Sequence, residues 1–139
     1  MRILSQVAAA AVDTAPAPAH DARILVFDTD EGVARTIGAI LRHDGYQVAT
    51  ASSIFDALVR LRDERFDLVL LELRAEDSGG DYMLARLRDM APDTAVVVLT
   101  RYATFESALR ALRESAYDYL VKPVDVDELR ITVERATQM

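Results

Sequence analysis

Four short stretches hold the residues able to do chemistry. Asp28-Thr29-Asp30-Glu31 is an acidic run broken by a threonine. Glu72 follows one apolar run, Thr100 follows another, and Lys122-Pro123 follows a third. Acids can hold a divalent cation, while a hydroxyl and an ammonium can bind phosphoryl oxygens. A carboxylate can also accept a phosphoryl group, so together these types point to phosphoryl transfer to a carboxylate. Singly, each has a plainer role. An acid after a strand commonly caps the next helix, where the dipole favours it, and Asp30 or Glu31 suits that place. A threonine ending a strand is commonly an N-cap, and a lysine before proline is commonly solvated. The case for chemistry is that all of them fall at the ends of apolar runs.

Those runs are the elements that must position them. Residues 23–27 read Arg-Ile-Leu-Val-Phe and stop at an acid. Val33, Ile37, Ile40 and Leu41 then recur at helical spacing, closed by Asp44-Gly45, where glycine suits a helix stop. Residues 46–51 alternate like a strand, and Ser53 caps a second helix carrying Ile54, Ala57, Leu58 and Leu61. Residues 67–71 form another buried run. A polar loop with Gly79-Gly80 leads to a helix through Met83, Leu84 and Leu87, stopped by Pro92. Residues 95–99 are the most strand-like segment. Phe105, Ala108, Leu109 and Leu112 mark a fourth helix, residues 117–121 a fifth strand, and residues 125–138 a last helix.

Strand followed by helix thus recurs five times. Strands of near-continuous Val, Leu and Ile are buried on both faces, so helices must cover both sides of a parallel sheet. The expected fold is α/β and flavodoxin-like, a (βα)5 three-layer sandwich with strand order 2-1-3-4-5. Sites in such sheets lie outside the carboxyl ends of the strands, where the chemical residues fall.

Composition excludes several classes. The chain has 139 residues, of which 51% are hydrophobic and 28% charged, the profile of one packed globular domain. It has no cysteine, which removes disulfides, thiol nucleophiles and thiolate metal sites. Two distant histidines, His20 and His43, make a poor zinc site. The net charge of −7 argues against direct nucleic-acid binding, which phosphate contacts dominate. No apolar run approaches the ~20 residues of a membrane span. Residues 1–20 are an Ala/Pro-rich tail that only faintly imitates a signal peptide, with the folded domain expected over 21–139. The first strand-to-helix turn holds only Gly32, so neither a dinucleotide turn nor a P-loop is present, and no G-x-S-x-G elbow occurs. A flavodoxin-like cofactor binder would have fold analogy alone behind it.

Four segments carry a family resemblance: 24–30 (ILVFDTD), 66–74 (FDLVLLELR), 97–100 (VVLT) and 118–123 (DYLVKP). Together they resemble the receiver domain of two-component response regulators, over about residues 22–137, with a flavour similar to the nitrogen-regulatory group. The resemblance implies a cytoplasmic signalling module, not an enzyme. Asp28 matches the first acid of the family's acidic pair. Thr100 matches the switch hydroxyl, Tyr119 the switch aromatic and Lys122 the pocket lysine. The resemblance also implies a cis bond before Pro123.

Two departures stand out. Thr29 replaces the second acid of the pair, and Glu72 replaces the phosphoacceptor aspartate. The loop after Glu72 reads Ala75-Glu76-Asp77-Ser78, away from the family's usual character. Asp28 alone, with a displaced Glu72, makes a weak magnesium cage, so no cofactor is required. Glutamate is one methylene longer, so its carboxylate is expected where a phosphoryl group or cation would sit, within reach of Lys122 and Thr100. The expected protein is therefore a pseudo-receiver. The alternative is a receiver still phosphorylated on Glu72 or a nearby acid such as Asp77, with Mg2+. The resemblance implies a sensor histidine kinase or other signalling protein as partner, and an output domain outside this chain. It implies contacts, including a possible homodimer, through the fourth helix (104–113), fifth strand (116–121) and fifth helix (125–137).

Overall fold

Each apolar run becomes a strand of one parallel sheet: β1 Arg23–Phe27, β2 Gln47–Ala51, β3 Leu68–Glu72, β4 Ala95–Thr100 and β5 Asp118–Val121. The order is β2-β1-β3-β4-β5, as the sequence pattern predicts. The computed structural model describes residues 21–73, 79–101 and 116–138. The tail 1–20, the loop holding Asp77 and the helix expected at 104–113 lie outside the described residues. Within them, four helices connect and flank the strands: α1 Glu31–His43, α2 Ile54–Asp63, α3 Gly79–Met90 and α4 Val126–Thr137. Thus α4 is the helix expected as the fifth.

Alternation along the strands splits the core into two halves. Ile24, Val26, Leu68, Leu70, Val97, Leu99 and Leu120 face α1 and α4, meeting Ile37, Leu41, Leu129 and Val133. Leu25, Phe27, Val69, Leu71, Val96 and Val98 face the other way, toward Ala57 and Leu61 of α2 and Leu84 and Leu87 of α3. Helices on both faces explain why the strands read as unbroken apolar runs. Full burial stabilises each Leu or Ile side chain by roughly 1.5–3 kcal/mol.

Helix ends follow local chemistry. The Ser53 hydroxyl accepts from the Asp56 N–H, and Asp125 accepts from the Glu128 N–H. Gly45 adopts φ 100°, the left-handed region where glycine carries no Cβ penalty. Several boundaries move by a residue from expectation, and those at the site matter most. Glu72 and Thr100 are the last residues of their strands, because β3 pairs with β4 through Glu72 and β4 pairs with β5 through Thr100. Gly79 and Gly80 open α3 instead of standing in the loop before it.

Candidate functional site

The carboxyl edge of the sheet gathers the chemical residues. Asp28 is the first residue beyond β1, and its N–H donates to the Ala51 carbonyl at the end of β2 (3.1 Å). That bond extends the ladder one step and draws the side chain into the fold, where it is 0% exposed. Among the described residues the buried polar residues are Asp28, Thr100 and Thr132. Lys122 follows β5, and its N–H donates to the Thr100 carbonyl (2.8 Å). This brings the ammonium, on a side chain only 6% exposed, against Asp28 Oδ2. The two buried atoms meet as an ion pair without hydrogen-bond geometry. The Lys122–Pro123 peptide bond is cis.

Glu72 stands opposite Leu99 at the end of β3. Its carboxylate lies 3.5 Å from Lys122 Nζ and its side chain is 9% exposed. Thr29 binds it twice: the N–H donates to Oε2 at 2.6 Å, and the hydroxyl donates to Oε2 at 2.9 Å, with Oε1 at 3.3 Å. Asp30 has a different task. Its side chain accepts from the N–H groups of Gly32 and Val33, capping α1, while its own N–H donates to Asp28 Oδ1 (2.9 Å). The pocket thus assembles one ammonium between two carboxylates, with α1 anchored to its rim.

The two carboxyls are pushed apart electrostatically. Burial pushes the Asp28 carboxyl above its usual range, against the pull of Lys122 and the Asp30 N–H; nearby Glu72 pushes the same way. Burial also opposes the charge on Glu72. The Thr29 N–H, Asp28, the Thr29 hydroxyl and Lys122 outweigh it and hold this carboxyl below its usual range. Tyr119 sits beside Val98 in the β4–β5 pairing, half-buried against the α2–α3 half of the core. A cleft of about 580 Å3 lies at the other end of the sheet, between Leu87, Pro92 and Val96, away from these groups.

Residues 24–134 match the family described as the response regulator receiver domain. This chain belongs to that family. Receiver-bearing relatives include the transcriptional regulatory protein ZraR of Escherichia coli K12, 40% identical over 113 residues, 81% of this chain and 26% of that protein. The alginate biosynthesis transcriptional regulatory protein AlgB of Pseudomonas aeruginosa is 38% identical over 117 residues, 84% of this chain and 26% of AlgB. The chain spans about a quarter of the length of these curated relatives. A response regulator from Thermotoga maritima superimposes with a TM-score of 0.80 at 27% identity, over 85% of this chain and 98% of that one. NtrX from Brucella abortus gives 0.78 at 30% identity, over 86% of this chain and 27% of NtrX. The receiver fold is therefore that of CheY-like proteins.

Of the residues singled out from sequence, the structure gathers Asp28, Thr29, Glu72 and Lys122 in direct contact, with Thr100 alongside through its carbonyl. Asp30 serves the helix and orients Asp28 only through its backbone. The grip of Thr29 on Glu72 was not legible in the sequence. The signal that could have found it is that position 29, a neutral donor, departs from the family pattern together with position 72. Among the described residues, no helix is long and apolar enough to cross a membrane.

Proposed function

We propose that this receiver signals without aspartyl phosphorylation, with the Glu72 carboxylate standing as a permanent anion in the phosphoryl position. One observation carries the reading: the Glu72 carboxylate is already held by Thr29 and faces Lys122, the ammonium that a phosphoryl group would otherwise engage. Its longer side chain places the carboxylate inside the pocket, and errors near 1 Å in a nucleophile can cost ~100-fold in rate.

The donor set also suits a divalent cation poorly. Magnesium takes near-octahedral oxygen ligands, commonly one or two carboxylates with water and phosphate. Here Asp28 is buried against Lys122, Asp30 is engaged with α1, and position 29 is neutral. The lysine ammonium supplies the positive charge from within.

In this reading the receiver unit spans 21–139, with 1–20 as a tail outside it. Output passes through contacts of the face formed by β5 and α4. Val121 on β5 and Ile131 on α4 leave apolar surface exposed there, 43% and 50%, fitting a protein partner or a second copy. Relatives named as transcriptional regulators support a longer regulator of transcription as the setting, with a signalling kinase or other upstream protein as partner.

The test is intact mass after incubation with acetyl phosphate and magnesium. In an acceptor, a carboxylate oxygen attacks phosphorus, acetate leaves with the electrons of the broken P–O bond, and the protein gains ~80 Da. No gain on the wild type and a slow gain on Glu72→Asp are expected. A stoichiometric gain on the wild type overturns the reading in favour of phosphorylation on Glu72 or a nearby acid such as Asp77.

A further inference from the structure

We propose that Thr29 is a positioning residue that turns Glu72 into the built-in anion, so that positions 29 and 72 form a compensating pair. This rests on the reading of Glu72 given above. Position 29 lies in a turn whose backbone is held from both sides. The Asp28 N–H is tied to Ala51, and the Asp30 N–H is tied to Asp28 Oδ1. The Thr29 N–H is therefore aimed by the fold, at Glu72 Oε2. The side chain adds the second donor to the same oxygen. Two donors on one carboxylate fix its position as well as its charge, because hydrogen bonds to ionised groups are the strong ones.

The residue type matters for a simple reason. A hydroxyl can donate, whereas an ionised acid can only accept. An acid at position 29 would set its carboxylate against that of Glu72 at hydrogen-bonding distance, where like charges disfavour ionisation of both. Glu72 as a resident anion thus requires a neutral donor at 29. Conversely, a phosphorylated aspartate at 72 would favour an acid at 29 to help hold a cation. Reverting Glu72 alone leaves the pocket one acid short.

The test is a double-mutant cycle in the full chain, read as urea midpoints at neutral pH. Thr29→Val is expected to lower the midpoint in the wild type and to have little effect in a Glu72→Ala background. Thr29→Ser, which keeps the hydroxyl, is expected to stay near wild type. Equal losses from Thr29→Val in both backgrounds would overturn the proposal. A second measurement covers the case of a variant too unstable to compare. Phosphate gain from acetyl phosphate with magnesium is expected to be about tenfold faster for Thr29→Asp/Glu72→Asp than for Glu72→Asp; equal rates overturn the pairing. The two readings fail separately. A phosphorylated wild type with an intact cycle removes only the signalling reading. An additive cycle with an unphosphorylated wild type removes only the role of Thr29.

Discussion

Lys122 is the hinge of the pocket's charge. It neutralises Asp28, which is fully buried, and it faces Glu72 at 3.5 Å. Removing one partner of a buried ion pair strands the other charge, at a typical cost of 3–5 kcal/mol. Lys122→Met is therefore expected to lose roughly that much in urea unfolding at neutral pH. Asp28→Asn/Lys122→Met should recover part of it, since the Glu72 carboxylate, still held by Thr29, is then the one charge left among these three groups. A pH dependence follows from Glu72. Its carboxyl is held below its ordinary value of 4.5, so the folded state favours the ionised form. The stability this contributes is full above about pH 4.5 and is lost as pH falls through the lower folded value. The stability advantage of wild type over Glu72→Gln should thus be constant near neutrality and shrink below about pH 4.5. Asp28, raised by burial, runs the other way: its contribution is full below 3.8 and lost as pH rises through its raised value. Glu72→Gln also relieves the push of Glu72 on Asp28, so the difference reads the two carboxyls together; an advantage unchanged down to acid unfolding would contradict the ionised state of Glu72.

At the scale of elements, the site depends on how α1 begins. Asp30 caps this helix through Gly32 and Val33 while its N–H orients Asp28. Asp30→Ala should cost about 1 kcal/mol, the usual loss on removing an N-cap. The backbone bond to Asp28 should survive, because alanine keeps the N–H. Midway along the same helix Gly38 is buried against β2. A Cβ there would meet Thr50 Cγ2 at 3.5 Å and Val48 Cγ1 at 3.6 Å, ordinary packing distances. Glycine inside a helix costs about 0.8–1.0 kcal/mol relative to alanine. Gly38→Ala is therefore expected to raise the thermal midpoint; a fall would mean that α1 and β2 cannot accommodate the methyl.

The whole molecule has two ends and one suspect face. Charged groups converge at the carboxyl edge of the sheet, while the cleft at the opposite edge lacks a buried titratable cluster among its described lining residues. The face of β5 and α4 carries exposed Val121 and Ile131. Ile131→Glu should leave folding stability within about 0.5 kcal/mol, as for most surface changes. On the proposal that this face pairs with a second copy, it should also weaken self-association in sedimentation velocity; self-association equal to wild type would count against Ile131 as a contact. Arg130, beside it on α4, bonds Asp44 at the end of α1 (2.9 Å) and ties the two helices of that layer together. As a partly exposed pair it contributes only ~0–1 kcal/mol.

Periodicity and residue type determined the sheet order, the two helical layers and the edge at which chemistry gathers. Each of these follows from short-range facts: apolar runs too continuous for a one-sided strand, a cap at Ser53, glycine at 45. The types at 28, 29, 72, 100 and 122 were equally legible, and so was the oddity of threonine and glutamate among them. Only the tertiary structure decided who holds whom. Residues 29 and 72 are 43 positions apart, and the reach of a glutamate depends on register between β1 and β3 to within a single residue. The division of labour between neighbouring acids, Asp28 buried on Lys122 and Asp30 spent on a helix, rests on burial and turn geometry. No local pattern encodes these, because burial and approach distance are properties of packed elements.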